Sequence, residues 1–530
     1  MGQKIQIFDT TLRDGTQGEK VAFSAQDKLR IAHRLDVFGI DYIEGGWPGS
    51  NPKDMQFFEL AKETTFDHAK IVAFGSTCRA NTDPSEDKNI NMLINAETPT
   101  VSIFGKSWLL HVREALKTSA QENMRIIYES VAYLKDHDKE VIYDAEHFFD
   151  GYKADPEYAL QTLKAAETAG ADTLVLCDTN GGTLPSEIRK IVSEVTEKLD
   201  TKLGIHAHND CELGVANSLA AVEAGCTHVQ GTINGYGERC GNANLCSVIP
   251  NLQLKQQYQC VADDKLKELS SLSHFVSEVA NLNPDNRQAF VGQSAFAHKG
   301  GIHVSAVMKN EETYEHISPD SVGNKRRVLV SDLSGKSNIR YKSSQLGIDL
   351  DQDGDKVSEI VEKLKHLENN GYQFEAAEAS LELLVQKLKK EWQDFFSLEG
   401  FRIIVEKNVS GQSRTEATIR LTVDGQMEHC AAEGSGPVHA LDKALRKAVH
   451  RFYPGITEMH LQDYKVRVLN QKEGTDAQVR VLIDSAVSDN SWTTVGVSRN
   501  IIDASWEALS DSFSYFLANQ HQNLHNKKAI

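Results

Sequence analysis

The chain has 530 residues, 40% hydrophobic and 25% charged, an ordinary globular balance at a length that suggests about three domains. A net charge of −18 argues against nucleic acid or an anionic membrane as partner. No apolar run reaches the ~18 residues needed to span a bilayer, and the opening MGQKIQIFDTTLRDG lacks a signal-peptide core. Eight cysteines without a CxxC pair read as reduced thiols of a cytoplasmic protein, and their spacing argues against a zinc–thiolate site.

The first 260 or so residues alternate strand and helix signals. β-rich runs fall at 4–9, 41–46, 70–75, 100–105, 140–146, 172–178, 202–208 and 227–232. Amphipathic stretches lie between them, such as 24–39 and 156–170, with Gly39 and Gly170 where helix C-caps are expected. Eight such units predict an α/β fold, a (β/α)8 TIM barrel over 1–262. An open doubly wound sheet is the competitor, and the missing GxGxxG after the first strand counts against it. A helix is expected over 263–281, a mixed segment over 284–345 and charged helices over 352–396, together a mostly helical linker subdomain (263–396). An internal repeat follows, 416–449 and 476–509. Each copy reads as strand, turn, strand, glycine-containing break and helix, predicting an α+β domain over 397–520. The polar tail 521–530 is expected to fray.

Barrel active sites form at the carboxyl ends of the strands. Those ends carry Arg13, Asp14 and Gln17 after the first strand, Glu44 after the second, Glu146 after the fifth and Asp178, Thr179 and Asn180 after the sixth. His206 and His208 close the seventh, and Glu238, Arg239 and Asn242 follow the eighth. On a strand, residues i and i+2 share a face, so His206 and His208 aim together into the barrel mouth. With Asp14 as third ligand they suit Mg, Mn or Zn and leave positions for substrate oxygens. The plain alternative is a pair of histidines on a solvated edge. Arg13 can stabilise negative charge developing on a carbonyl oxygen, or serve as a structural ion pair with Asp14.

FDTTLRDGTQG, the glutamate after strand 5, DTNGGTLP, HAHND and GERCGNAN together resemble the metal-dependent acyl-CoA condensing enzymes and lyases that share an Asp-Arg-Glu-type TIM barrel (the DRE-TIM metallolyases). Within them the chain is similar to the 2-isopropylmalate, homocitrate and citramalate synthase branch. SAFAHKGGIHVSAVMKNEETYEHI (294–317) resembles that branch's catalytic segment after the barrel, and the paired repeat resembles its regulatory domain. IEGGWPGSNPKD and YDAEHFFDGYK are most similar to the type that accepts pyruvate. The resemblance implies a divalent metal held by Asp14, His206 and His208 with Asn242 beside them. It implies that Arg13 polarises the oxoacid carbonyl, that Thr179 contacts the oxoacid carboxylate, and that Gln17 supports the Arg13–Asp14 loop. Glu146 and His303 match residues used in proton transfer, with Tyr314 near a tyrosine of the same segment. Strand alternation puts Asp144 on the face of Glu146, lining the pocket with Phe74, Ser76, Ser102 and Phe104. Glu44, Glu238 and Asp178 are expected behind the site, Asp178 alternatively as a helix N-cap.

The implied reaction joins acetyl-CoA to pyruvate. A base removes a methyl proton, a polarised carbonyl accepts the carbanion and water cleaves the thioester. The glycine-rich turns before the helices of the repeat, GSGPVHALDKAL and GVSRNIIDASWEAL, offer backbone N–H groups to a carboxylate. The resemblance implies isoleucine as feedback effector and a homodimer. Two alternatives remain: 2-oxoisovalerate as acceptor and, from another class, an amino-acid-binding regulator with an inactive barrel.

Overall fold

The structure, a computed structural model, describes residues 2–331, 336–345, 354–387, 392–407, 409, 411–469, 477–488 and 490–528. It divides into two units: Met1–Phe296 with His316–Arg326, and Ala297–Glu315 with Arg327–Ile530.

The first unit is a closed eight-stranded parallel barrel in sequence order: β1 (Gln6–Asp9), β2 (Tyr42–Gly46), β3 (Lys70–Ser76), β4 (Thr100–Lys106), β5 (Glu140–Glu146), β6 (Thr173–Asp178), β7 (Lys202–Ala207) and β8 (His228–Gly231). β8 pairs with β1 and closes it, Gln6 opposite His228 and Asp9 opposite Gly231. Helices between the strands start on recognisable signals. Ala25–Phe38 opens on a capping box between Ser24 and Asp27, and Pro52, Pro156 and Pro185 each open a helix whose first turn needs no N–H. Gly39 and Gly170 take left-handed backbone (φ 100° and 94°), as expected of C-caps.

Alternation along the strands sorts the core. Ile7, Ile43, Ile103, Tyr143, Leu176, Ile205 and Val229 face outward into one apolar cluster with helix residues such as Ile31, Leu35, Phe57, Val131 and Leu163. Phe8, Tyr42, Val72, Ile142, Val175 and Cys177 face inward and plug the barrel. Above that plug the inward positions become polar, which builds the site. After the barrel, the helix expected over 263–281 is two, Asp263–Leu266 and Leu269–Val279.

The second unit carries the short parallel pair β9 (Ala297–His298) and β10 (Arg327–Val328). Helices Lys336–Gln345, Gly354–Asn369 and Glu378–Gln386 follow and share an apolar cluster that includes Ile339, Ile360, Leu364 and Leu381. The expectation of helix to 396 is corrected: Gly371 (φ 96°) breaks the run, and Phe396 already begins a strand. Each repeat is a three-stranded antiparallel sheet with a helix: β11 (Phe396–Lys407), β12 (Ser413–Val423), β13 (Gln426–Gly434) with Pro437–His450, and β14 (His460–Val468), β15 (Val479–Val487), β16 (Asn490–Ser498) with Ile501–Lys528. The leading strands β11 and β14 were missing from the two-strand reading; both are edge strands with mostly exposed side chains, so alternation with a buried face is faint. One core, with Ile419, Leu441, Leu445, Ile483, Leu509 and Phe513, joins both copies. The last helix runs through Lys528; residues 529–530 lie outside the described residues.

Candidate active site

The turn after β1 brings Arg13 and Asp14 over the barrel mouth. Buried Asp9 accepts from Thr11 N (2.9 Å) and Thr11 Oγ1 (2.8 Å). Asp14 N donates to Thr10 Oγ1 (3.2 Å) and Gly15 N to Thr10 O (3.0 Å), which folds the chain back on itself. β7 delivers both histidines from one face. His206 Nε2 lies 3.3 Å from Asp14 Oδ2 and 3.4 Å from His208 Nε2, and His208 Nε2 lies 4.0 Å from Asp14 Oδ2.

This donor set fits a divalent cation. All three residues are buried, and their ligand atoms lie within 4.8 Å of one another. Ligands about 2.1 Å from one ion sit about 3.0 to 3.4 Å apart at octahedral or tetrahedral angles, close to the shorter separations here. Asn242, from the loop after β8, donates Nδ2 to Asp14 Oδ2 (2.8 Å), and its own Oδ1 is buried without a hydrogen-bond partner. That loop presses close: a Cβ on Gly237 would lie 2.6 Å from Asn242 Oδ1. Burial opposes ionisation of Asp14, but Arg13 and the two imidazoles outweigh it and hold its carboxyl well below the usual range. Burial, with the neighbouring His206, lowers His208 to about 3 and keeps it neutral, the form a metal ligand requires. His206 goes up: burial pulls it down, and the Asp14 hydrogen bond and charge more than reverse this.

Arg13 is gripped on several sides. Its Nε donates to Glu44 Oε2 (2.6 Å), one terminal nitrogen lies 3.3 Å from Asp14 Oδ1, and the guanidinium lies 3.7 Å from the centre of the Phe74 ring. Glu44 also accepts from Thr10 Oγ1, so it does stand behind the site. A cavity of about 230 Å³ opens in front of these groups. Trp47, Phe74 and Phe104 wall one side, Trp47 edge-on to both phenyl rings at 5.6 and 5.8 Å, and Cys177 lies beneath. Gln17, Asp144, Glu146, Thr179, Glu238 and Arg239 complete the lining. Gln17 N donates to Asp14 O (2.9 Å). Thr179 Oγ1 accepts from His147 N (2.9 Å), so its own hydrogen is left for another acceptor. Glu146 is ion-paired to Lys106. Arg239 holds Asp210 through two nitrogens (2.8 and 2.9 Å) and donates to Thr179 O (2.7 Å).

Asp144 sits deeper. Its oxygens accept from Ser102 Oγ (2.7 Å) and Gln230 Nε2 (3.0 Å), and Gln230 Oε1 faces His206 Nδ1 at 2.8 Å. Burial first, then the Glu44 charge, push Asp144 up to about 6. Asp178 is not a helix N-cap. It faces away from the barrel interior and takes Thr183 Oγ1 (2.9 Å) and Thr183 N (3.3 Å), while Leu184 occupies the cap position.

His303 and Tyr314 belong to the second unit, where their rings stack at 4.2 Å. The carboxylate-paired histidine of that segment is His298, with Nε2 3.0 Å from Glu315 Oε1. At the repeat helices, Asn500 Oδ1 caps Ile502 N (2.9 Å), whereas Gly436 gives the first copy no side-chain cap. Sequence reasoning passed over Gln230, Lys106, Trp47 and Cys177. Two of them were findable: Gln230 is two residues beyond inward-facing His228, and Cys177 two before Thr179.

The HMGL-like family pattern matches residues 4–276, the homocitrate synthase post-HMGL domain-like pattern 290–372 and the LeuA allosteric (dimerisation) domain pattern 375–517. An (R)-citramalate synthase of Geobacter sulfurreducens is 56% identical over 99% of this chain and 99% of its own length. One of Aquifex aeolicus is 56% identical over 98% of each. A 2-isopropylmalate synthase of Methanocaldococcus jannaschii is 32% identical over 98% of this chain and 96% of its own length. The chain therefore belongs to the HMGL-like family and, within it, to the citramalate synthases, and it is an enzyme of that group.

Proposed function

We propose that the chain joins the acetyl group of acetyl-CoA to pyruvate, giving (R)-citramalate and free CoA. The observation that carries this is the buried Asp14–His206–His208 donor set beside Arg13 in a small, aromatic-walled barrel mouth. The relatives' names support the product and its hand. The balance is acetyl-CoA plus pyruvate plus water to citramalate, CoA and a proton. A new C–C bond forms at the pyruvate carbonyl carbon, and water then cleaves the thioester.

Bound by Asp14, His206 and His208, with Asn242 beside them, a divalent cation supplies Lewis acidity toward the oxoacid's oxygens. Arg13, already oriented by Glu44 and Asp14, keeps further N–H donors for the carbonyl oxygen as negative charge gathers there. The free hydrogen of Thr179 binds the oxoacid carboxylate, and Gln17 braces the Arg13–Asp14 turn. The ring of Phe74 under Arg13, with Trp47 and Phe104, confines the acceptor's methyl group. Glu146 and His303 handle the methyl proton of acetyl-CoA, with Tyr314 holding the His303 ring by stacking. We further assign 1–262 as the catalytic domain, 263–396 as the linker, and 397–520 as a regulatory and dimerising domain before the tail at 521–530. The LeuA allosteric (dimerisation) match over 375–517 supports a regulatory and dimerising role for the last domain; to this reading we add isoleucine as effector, a homodimer as the assembly and isoleucine biosynthesis as the pathway. Eight unpaired cysteines accord with a cytoplasmic enzyme. Among the described residues no helix is long and apolar enough to cross a membrane.

The test is thiol release from acetyl-CoA with a divalent metal and a panel of 2-oxoacids. Pyruvate should give the highest kcat/KM; a higher value for 2-oxoisovalerate would reject it as the acceptor and favour the 2-isopropylmalate reaction. Activity should vanish with chelator and in His208→Ala. Isoleucine, added in parallel with leucine, should inhibit; no response to isoleucine would remove it as effector.

A further inference from the structure

Among the described residues, the two candidate ligand histidines differ in what stands behind them. His208 Nδ1 is buried without a hydrogen-bond partner. His206 Nδ1 meets Gln230 Oε1 at 2.8 Å. Gln230 is wholly buried on β8, and its Nε2 reaches Asp144 Oδ1 on β5 at 3.0 Å. Asp144 Oδ2 accepts from Ser102 Oγ on β4 at 2.7 Å. The side chains thus form a continuous polar row across the barrel interior, just above its apolar plug.

The row has a direction. An ionised carboxylate only accepts, so the amide nitrogen of Gln230 must face Asp144 and its oxygen must face His206. An amide oxygen also only accepts, so the hydrogen of neutral His206 sits on Nδ1. Its lone pair is then on Nε2, the nitrogen 3.3 Å from Asp14 Oδ2. We propose that Gln230 is a positioning residue for the metal: with Asp144 and Ser102 it fixes the ring orientation of His206 and the tautomer of its neutral form, so that Nε2 is the nitrogen turned toward Asp14 and His208. This rests on the metal-site reading above. It gives Asp144, which also lines the cavity, a role behind His206, since each of its oxygens accepts a hydrogen bond within the protein. Partners behind ligand histidines typically matter 10–100-fold in metal affinity.

The experiment titrates Mn²⁺ by calorimetry into the chelator-stripped, full-length protein. The wild type is compared with Gln230→Met, Asp144→Asn, Asp144→Leu and His208→Ala, and thermal melts without metal check folding. One ion should bind per wild-type chain. Gln230→Met, similar in volume and without either polar contact, should bind about 10–100-fold more weakly. Asp144→Asn should keep most of the affinity, because its amide oxygen still accepts from Gln230; Asp144→Leu should lose it. Equal affinity in wild type and Gln230→Met overturns the relay. Should Gln230→Met fail to fold, equal affinities in Asp144→Asn and Asp144→Leu overturn it instead. No ion bound by wild type, or unchanged binding by His208→Ala, overturns the metal-site reading itself.

Discussion

Arg13 and Asp9 show how much the environment of one residue decides. Arg13 is held in a fork between Glu44 and Asp14 and lies over Phe74. Lysine keeps the charge and loses the fork, so Arg13→Lys is not conservative here. Arg13→Lys should lower kcat about 10²–10³-fold at saturating substrates while the protein still binds one metal ion, read by kinetics and calorimetry. Asp9 is fully buried, and burial raises it to about 7 despite its hydrogen bonds from Thr11. A carboxyl raised on folding binds its proton more tightly in the native state, so its contribution falls as pH climbs from about 4 toward 7. The slope is at most about 1.4 kcal/mol per pH unit. Asp144, raised to about 6, has the same sign; His208, lowered to about 3, has the opposite one. Denaturant melts of metal-free wild type and Asp9→Asn should therefore diverge as the pH is lowered from 7 to 5, with wild type gaining relative stability. Parallel curves would show that Asp9 titrates normally. That His206 and His208 point the same way was legible in the sequence because HxH on a strand must share a face, and the structure brings Asp14 to within 4.8 Å of both. Gln230 was not, because a glutamine in a strand declares no chemistry until its neighbours are known.

At the scale of elements, the segment from β2 to the helix Pro52–Lys62 places Trp47 in the cavity wall, and a buried ion pair holds it. Lys28, from the first barrel helix, contacts Asp54 Oδ1 (2.5 Å) and Gly45 O (2.9 Å), while Asp54 Oδ2 accepts from Trp47 N (2.9 Å). Asp54→Ala would leave the ammonium buried without its carboxylate and release the Trp47 backbone. It should cost about 3–5 kcal/mol in urea unfolding, and the surviving enzyme should show a raised KM for the oxoacid. Nothing in SAQDKLRIAHRLDVFG marks Lys28 as buried: its chemical type predicts solvent, and only the packing of that helix against β2 overrides it. The barrel strands, by contrast, were legible to within a residue or two, since each apolar run ends where a turn or cap signal begins. β11 and β14 escaped because edge strands show solvent on both faces.

The whole molecule has surface left over. Edge strands β11 and β14 expose Leu398, Val405, Val466 and Val468, an arrangement that an unpaired sheet edge leaves open to pairing. The LeuA-type match over 375–517 falls on these sheets. On the proposed homodimer, Val405→Asp and Val466→Asp should each shift sedimentation from dimer toward monomer without lowering the melting temperature of the chain; a wild-type monomer would reject the dimer, and an unshifted pair of variants would place its interface elsewhere.

Local chemistry determined much about this protein: eight alternating units, the repeat after them, and the face on which His206, His208, Asp144 and Glu146 lie. Side-chain direction follows from backbone geometry over a few residues, so one strand read alone suffices. The tertiary structure alone decided which faces meet. Asn242 bonds to Asp14 across 228 residues, and Asp144 reaches Gln230 across 86, because β8 pairs with β1 and the barrel closes. Closure is a property of all eight strands together, and no local stretch records it.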